Sequence, residues 1–217
     1  MKPRVVFLGK QKPSVHLAWM WLQAWFNCEW VNRHDAIEPC DILVSFLYAH
    51  RIPADVLARA QIAINFHPAP LPEYRGLWGA SRAILAGATT FGVTAHAMTP
   101  DIDAGPIIAS RSVHVFADDT AASLDARAQE KLLELFRDTM SWFAAGTVLM
   151  FKPQPPAPPP PTRAELEASK RVLAIDPPGV VDRKARAWWF PPYQGAQVSV
   201  AGQWYTIAPH CVAGGAS

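Results

Sequence analysis

Residues 62–76 read IAINFHPAPLPEYRG, an apolar run, Ile62-Ala63-Ile64, that ends in Asn65 and His67 before a proline-rich turn. A purely buried strand has no use for an amide and an imidazole; a strand that delivers side chains to a site does. The two residues are two apart, so in extended backbone their side chains share one face. Asp103 follows in DIDAGP, where Gly105 and Pro106 force a tight turn after an acidic residue. An imidazole with a carboxylate to orient it and an amide donor nearby is equipment for acyl transfer. On spacing alone the same residues also suit a blander use: Asn65 and His67 as turn or capping groups, and Asp103 in an Asx-turn.

Elements that could position these groups are readable on both sides. RVVFL, Arg4 to Leu8, closes at Gly9 and predicts a buried parallel strand. Ser14 is placed to cap a helix to about Phe26, with Leu17, Trp21, Leu22 and Trp25 facing inward. A second strand is expected at Glu29–Val31, a third at Asp41–Leu47 and a fourth at Ile62–Asn65, with Pro53 opening a helical turn between the last two. Strands separated by helical patterns predict an α/β fold with a Rossmann-like, mostly parallel sheet. In such a sheet the C-terminal strand ends share one edge, where ligand sites form. Beyond the turn, the pattern predicts a helix over Gly79–Leu85, a strand over Phe91–Met98 and one or two strands between Pro106 and Val115. Thr120 or Asp119 then caps a helix whose Leu124, Ala128, Leu132, Leu135, Phe136 and Phe143 recur at helical spacing, with Gly146 as its stop.

The organisation follows from these elements. Residues 1–150 are expected to form the catalytic α/β core. Residues 151–163, FKPQPPAPPPPTR, are a linker or stiff polyproline strap, because proline removes donors and fixes φ. Residues 164–217 read as a short helix followed by a small C-terminal β-hairpin appendage. Hydrophobic residues make up 50% and charged residues 18%, a globular composition. A net charge of +2 with no Lys/Arg block argues against a nucleic-acid partner. Cys28, Cys40 and Cys211 have no CxxC spacing, so neither a disulfide framework nor a structural zinc is expected. No apolar run approaches the roughly 18 residues of a membrane span, and the N-terminal run is too short for a signal segment. The expected setting is therefore cytoplasmic, without membrane association.

NFHPAPLPEYRG, FGVTAHAM and DIDAGPII, in that order, resemble the formyltransferases that use 10-formyltetrahydrofolate, over roughly residues 41–115. The resemblance implies the formyltransferase fold, transfer of a formyl group to an amine, and no metal. It maps the family's Asn–x–His pair onto Asn65 and His67, and its aspartate before Gly-Pro onto Asp103. In that mapping His67 is the base, Asn65 donates to the oxyanion and Asp103 orients the imidazole. The pterin would enter beside Phe46, Leu47, Tyr48 and Ala49 and the loop Pro100–Asp103, with Tyr48 and Ile102 flanking its ring. His96 lies in the FGVTAHAM strand and either reaches the site or packs.

The acceptor is narrowed by what the chain lacks. FLGKQKPS does not match the glycine-rich phosphate cradle of glycinamide ribonucleotide enzymes, and no basic C-terminal domain of the methionyl-tRNA type follows the strap. RKARAWWFPPYQGA resembles a segment of nucleotide-sugar N-formyltransferases. That likeness implies a nucleotide-linked 4-amino-4,6-dideoxy sugar, for surface polysaccharide or glycan biosynthesis. Arg75, Trp78, Arg186, Trp188 and Phe190, with Arg183, would then face a pyrophosphate and ring. The alternatives are a tail that only plugs the core, formylation of another small amine such as hydroxyornithine in siderophore assembly, and a folate-binding scaffold that uses the strap. Val198, Val200 and Trp204 offer an apolar contact for a homodimer.

Overall fold

The computed structural model describes residues 2–210. The run Arg4–Gly9 is β1, with Val5 to Leu8 fully buried. Helix α1 spans Pro13–Trp25; its N-cap is Lys12, with no side-chain cap. Ser14, the expected cap, lies inside the helix because Pro13 takes its first turn, where a missing N–H is harmless. Its hydroxyl instead donates to Gln129 Oε1 at 2.8 Å. The expected inward face holds in part: Leu22 is buried and Trp21 stands edge-on to Phe136 at 6.0 Å, but Val15 and Ala18 are buried as well, while Leu17 and Trp25 are 49% and 54% exposed. Trp19 also packs inward, with its ring 5.8 Å from that of Phe7.

Strand β2 (Asn27–Val31) follows, then β3 (Cys40–Phe46), the short helix α2 (Ala54–Leu57) and β4 (Ala60–His67). Helix α3 (Gly79–Leu85) leads to β5 (Thr90–Ala97) and β6 (Ile107–His114), and α4 spans Ala121–Ala144. The sheet order is β2-β1-β3-β4-β5-β6. The first four strands are parallel, whereas β5 runs antiparallel to β4 and β6 antiparallel to β5. The architecture is α/β with a mostly parallel sheet, and one strand rather than two occupies Pro106–Val115. Thr120 caps α4 in a reciprocal box with Ser123, and the helix closes into Gly146 at φ +66°.

Alternation assigns each sheet face its own core. Val5, Phe7, Val44, Phe46, Ile64 and Phe66 point to α1 and α4, where Phe136 stands edge-on to Phe46 and Phe66 at 5.3 and 4.9 Å. Val6, Leu8 and Leu43 point to the other face and a smaller cluster with Ile37, Ile52 and Val56. Asn65 and His67 alternate with Ile64 and Phe66, so they stand on this second face.

After α4, residues 153–161 form no helix or strand. Helix α5 (Arg163–Ala168), β7 (Arg171–Val172), α6 (Pro178–Ala187), β8 (Ala196–Val200) and β9 (Gln203–Ile207) complete the described chain. The expected hairpin is β8–β9, extended to three strands by β7, which pairs parallel to β8. Leu166, Val172, Ala187, Trp188 and Ala196 are buried in the same cluster as the main core. Cys28 and Cys40 are free thiols, and Cys211 lies outside the described residues. Among the described residues no helix is long and apolar enough to cross a membrane.

Candidate active site

Strand β4 delivers Asn65 and His67 to one face, as their spacing predicts. Asp103 arrives by another route than a parallel strand end. Because β5 is antiparallel, its C-terminal end lies beside the middle of β4, with Ala97 opposite Ile64. The β5–β6 loop therefore folds back over the face that carries Asn65. Asp103 Oδ1 accepts from Asn65 Nδ2 at 3.3 Å, and Oδ2 accepts from the Gly76 N–H at 2.8 Å. His67 Nδ1 lies 3.6 Å from Oδ2. The turn is tight: a Cβ on Gly105 would sit 1.9 Å from the Ala97 carbonyl oxygen, so only glycine fits.

The same antiparallel register brings in His96, directly opposite Asn65. Its Nδ1–H donates to the Ala97 carbonyl at 2.8 Å, which leaves Nε2 as an acceptor for Asn65 Nδ2 at 3.1 Å. Asn65 thus has its amide nitrogen held from two sides, by His96 and Asp103. Opposite His67, Thr94 donates to the Ala69 carbonyl at 2.9 Å and accepts from the Leu71 N–H at 3.2 Å, which pins the proline-rich turn. Thr94 and His96 alternate with buried Val93 and Ala95, so the polar positions of FGVTAHAM were visible; the strand's direction was not.

The imidazole of His67 is 8% exposed, and its Nε2–H donates to the Tyr74 carbonyl at 3.0 Å. Nδ1 is therefore the basic nitrogen, and it faces Asp103. Burial pushes the His67 pKa below its ordinary value; the Asp103 carboxylate and the Tyr74 carbonyl pull the other way without overcoming it. Burial would raise the Asp103 pKa, but His67, His96 and the Gly76 N–H together hold it well below the usual carboxylate range. A neutral imidazole beside a permanent carboxylate is ready to take up a proton.

The remaining sequence-named residues divide between the site's rim and the core. The Phe46 ring is buried among Phe7, Phe66 and Phe136, so only its backbone can face a ligand. Leu47, beside Ala49 on the segment after β3, has φ +55°, and Ile102 is 43% exposed next to Asp103. The Tyr48 hydroxyl pairs with His34 Nδ1 at 3.0 Å. Arg75 donates from Nε and Nη2 to the Ile102 carbonyl at 3.0 and 2.8 Å, so it ties the proline-rich turn to the Asp103 loop.

Of the tail residues, Trp188 turns inward and Arg183, Arg186 and Phe190 are part-exposed. Trp188 is 4% exposed and stands edge-on to Trp78 at 5.2 Å, with the Lys170 ammonium over both rings. Arg186 pairs with Asp182 at 2.8 Å and donates to the Asp119 carbonyl at 3.0 Å, and Phe190 packs on Tyr193. Arg183 approaches the open side of Gly87. The burial of Trp188 suits the plug, while Arg186 and Phe190 are part-exposed. The sequence reading did not single out Thr94, or Gln154, whose amide reaches the Asp103 loop.

A family model described as formyl transferase matches residues 22–139, more than half of the chain, and spans Asn65, His67 and Asp103. The chain belongs to the formyl transferase family. Solved structures extend the likeness beyond the matched region. A 4-N formyltransferase from Francisella tularensis superposes with a TM-score of 0.83 at 16% identity, covering 95% of this chain and 96% of that one. An N-formyltransferase from Helicobacter canadensis, in complex with folinic acid and dTDP-3-aminofucose, gives 0.76 at 15%, over 93% and 85%. HypX from Aquifex aeolicus, in complex with tetrahydrofolic acid, gives 0.76 at 23%, over 96% of this chain and 38% of the longer one. At these identities the likeness establishes the shared fold, which includes the C-terminal three-stranded sheet.

Proposed function

We propose that this formyltransferase moves a formyl group from 10-formyltetrahydrofolate to the primary amine of a nucleotide-linked amino sugar. The observation that carries the chemistry is the convergence of Asn65, His67 and Asp103 on one sheet face, with His67 Nδ1 turned to Asp103 at 3.6 Å. His67 Nδ1 takes the proton of the attacking amine as the new C–N bond forms. Asn65 Nδ2 exchanges one of its present partners for the developing oxyanion, a contact commonly worth about 3 kcal/mol. Asp103 pairs with the resulting imidazolium, whose proton passes to the leaving N10 as its bond to the formyl carbon breaks. Backbone after Phe46 and the exposed side chain of Ile102 border the space in which a flat pterin fits.

The acceptor class is supported by two neighbours of the same fold, the 4-N formyltransferase and the enzyme that holds folinic acid with dTDP-3-aminofucose. Modification of sugars for surface polysaccharides or glycans, in the cytoplasm, is the setting this chemistry suits. Val200 and Trp204, with Tyr205, are more than half exposed on the hairpin and supply a surface for a homodimer, while Val198 packs against the core instead. The test is a transfer assay with 10-formyltetrahydrofolate and UDP-, TDP- and GDP-linked amino sugars, hydroxyornithine and glycinamide ribonucleotide, read by the mass of the formylated product. A formylated nucleotide sugar is the expected result. Formylation of hydroxyornithine alone would replace the acceptor, and folate binding without transfer to any amine would overturn the reading.

A further inference from the structure

The proline-rich strap does not run free across the surface. Lys152 and Ile107 exchange backbone hydrogen bonds, both 2.8 Å, which fastens the strap to the start of β6. Two residues on, Gln154 Nε2 donates to the carbonyls of Asp103 at 3.0 Å and Gly105 at 2.6 Å. Both partners are acceptors, so the amide can face them only with its NH2 group. At the strap's far end Pro160 lies against Gly76: a Cβ there would meet Pro160 Cβ at 2.7 Å. Gly76 is the residue whose N–H holds Asp103 Oδ2.

The Asp103 turn needs such external support. Asp103 has φ +50°, in the left-handed region that side chains other than glycine mostly avoid. Inside the turn the backbone bond is a long one, Ala104 N–H to the Asp101 carbonyl at 3.4 Å. The carbonyl of residue 102 is held by Arg75, and those of 103 and 105 by Gln154. Proline suits the splint, since its fixed φ leaves little chain entropy to lose when the strap docks.

From this geometry we infer that the strap is a splint for the Asp103 carboxylate and that Gln154 is a positioning residue of the transfer reaction, a role that rests on the reading of Asp103 above. Gln154 touches neither reacting group; it fixes the loop from which the carboxylate meets His67. The groups that face His67 are Asp103 from the β5–β6 loop, His96 from β5, Arg82 from α3 and the Tyr74 carbonyl. Of these, Asp103 is the one that Gln154 holds.

The test is Gln154→Met in the full chain. It keeps the side chain's length, removes both donors, and removes the Gln154 Oε1 that is buried without a protein partner among the described residues. Thermal stability is expected to stay close to that of the unsubstituted protein. Turnover should fall about tenfold, since small misplacements of a reacting group cost up to about 100-fold. Independently of turnover, the His67 ring resonance followed by NMR should titrate at lower pH, because the carboxylate that favours its protonation has moved. Gln154→Asn, one methylene short, should reproduce both effects. An unchanged His67 titration with unchanged turnover overturns the inference, as does loss of the fold in both variants, which would make Gln154 a stability residue. Inactivity of the unsubstituted protein on every amine would sink the proposed function alone, and the titration would still decide the role of Gln154.

Discussion

Asp103→Asn isolates the charge of the carboxylate from its shape. The amide is isosteric and can still accept the Gly76 N–H, which Asp103 Oδ2 now takes at 2.8 Å. What it loses is the bond that Oδ1 accepts from Asn65 Nδ2 at 3.3 Å and the attraction for an imidazolium whose Nδ1 lies 3.6 Å away, between side chains 8% and 12% exposed. At that separation and an effective dielectric near 20 the attraction is about 5 kcal/mol. A neighbouring opposite charge moves a pKa by about 1–3 units, so the protonated His67 becomes roughly 10- to 1,000-fold harder to form. A fall of about 100-fold in kcat/KM, near the middle of that range, is the expected outcome. The direction in pH is fixed as well. Burial already holds the His67 pKa below the ordinary histidine value, and Asp103 is the largest influence raising it. The acid limb of kcat/KM should therefore lie below pH of about 6.5 in the unsubstituted enzyme. Removing Asp103 should move it lower still, because a raising influence has gone. A pH–rate profile of both proteins decides the matter. Activity within threefold of the unsubstituted enzyme, or a limb that moves upward, would refute the role given to the carboxylate.

His67→Ala should lower turnover by about 100- to 10,000-fold while folate affinity, measured by titration calorimetry, stays nearly unchanged; more than a tenth of the activity left would remove His67 as the base. Asn65→Ala should lower kcat by about 100- to 1,000-fold, with the acid limb in place, as expected for a lost oxyanion donor. Gly105→Ala forces a methyl to within 1.9 Å of the Ala97 carbonyl oxygen, so the Asp103 turn must move. Urea denaturation should show only a local loss of stability there, while transfer collapses. Trp188→Ala should destabilise the fold by about 3–5 kcal/mol in urea melts, because the ring is 4% exposed in the main core; a higher acceptor KM at unchanged stability would instead return the residue to the acceptor site.

Much of the scaffold was legible because its signals are local. RVVFL and DILVSFL are mostly apolar runs and became the buried strands β1 and β3, and α4 announced itself by spacing, cap and stop. The facing of α1 was legible only in part: Leu22 and Trp21 face the core as expected, but Leu17 and Trp25 stay exposed, and Val15, Ala18 and Trp19 take inner positions. Asn65 and His67 were readable from their two-residue spacing. The hydrogen bond to His96 was not, because it depends on β5 running antiparallel, and alternation carries no information about direction. The contacts of the tail depend on tertiary structure in the same way. Arginine and tryptophan suit a nucleotide, but here Arg186 closes on Asp182 and the Asp119 carbonyl and Trp188 on Trp78, choices set by tertiary contacts.

The reversal of β5 explains how a site of this kind can be both rigid and adjustable. Asn65 and His67 stand on β4, which is hydrogen-bonded on both edges, so their positions are fixed by the sheet. Asp103 belongs to a loop that folds back over the same face, a placement no parallel strand end could give. A loop is free to move unless held, and Asp103 is held by groups from three separate segments. The N–H of Gly76 comes from the proline-rich turn, the amide of Asn65 from β4, and the amide of Gln154 from the strap. If the strap loosened, the carboxylate would leave His67 while the strand residues stayed in place. The base would then keep its geometry and lose its proton affinity. A defect in Gln154 should therefore resemble a mild Asp103→Asn in its pH profile and bear no likeness to His67→Ala.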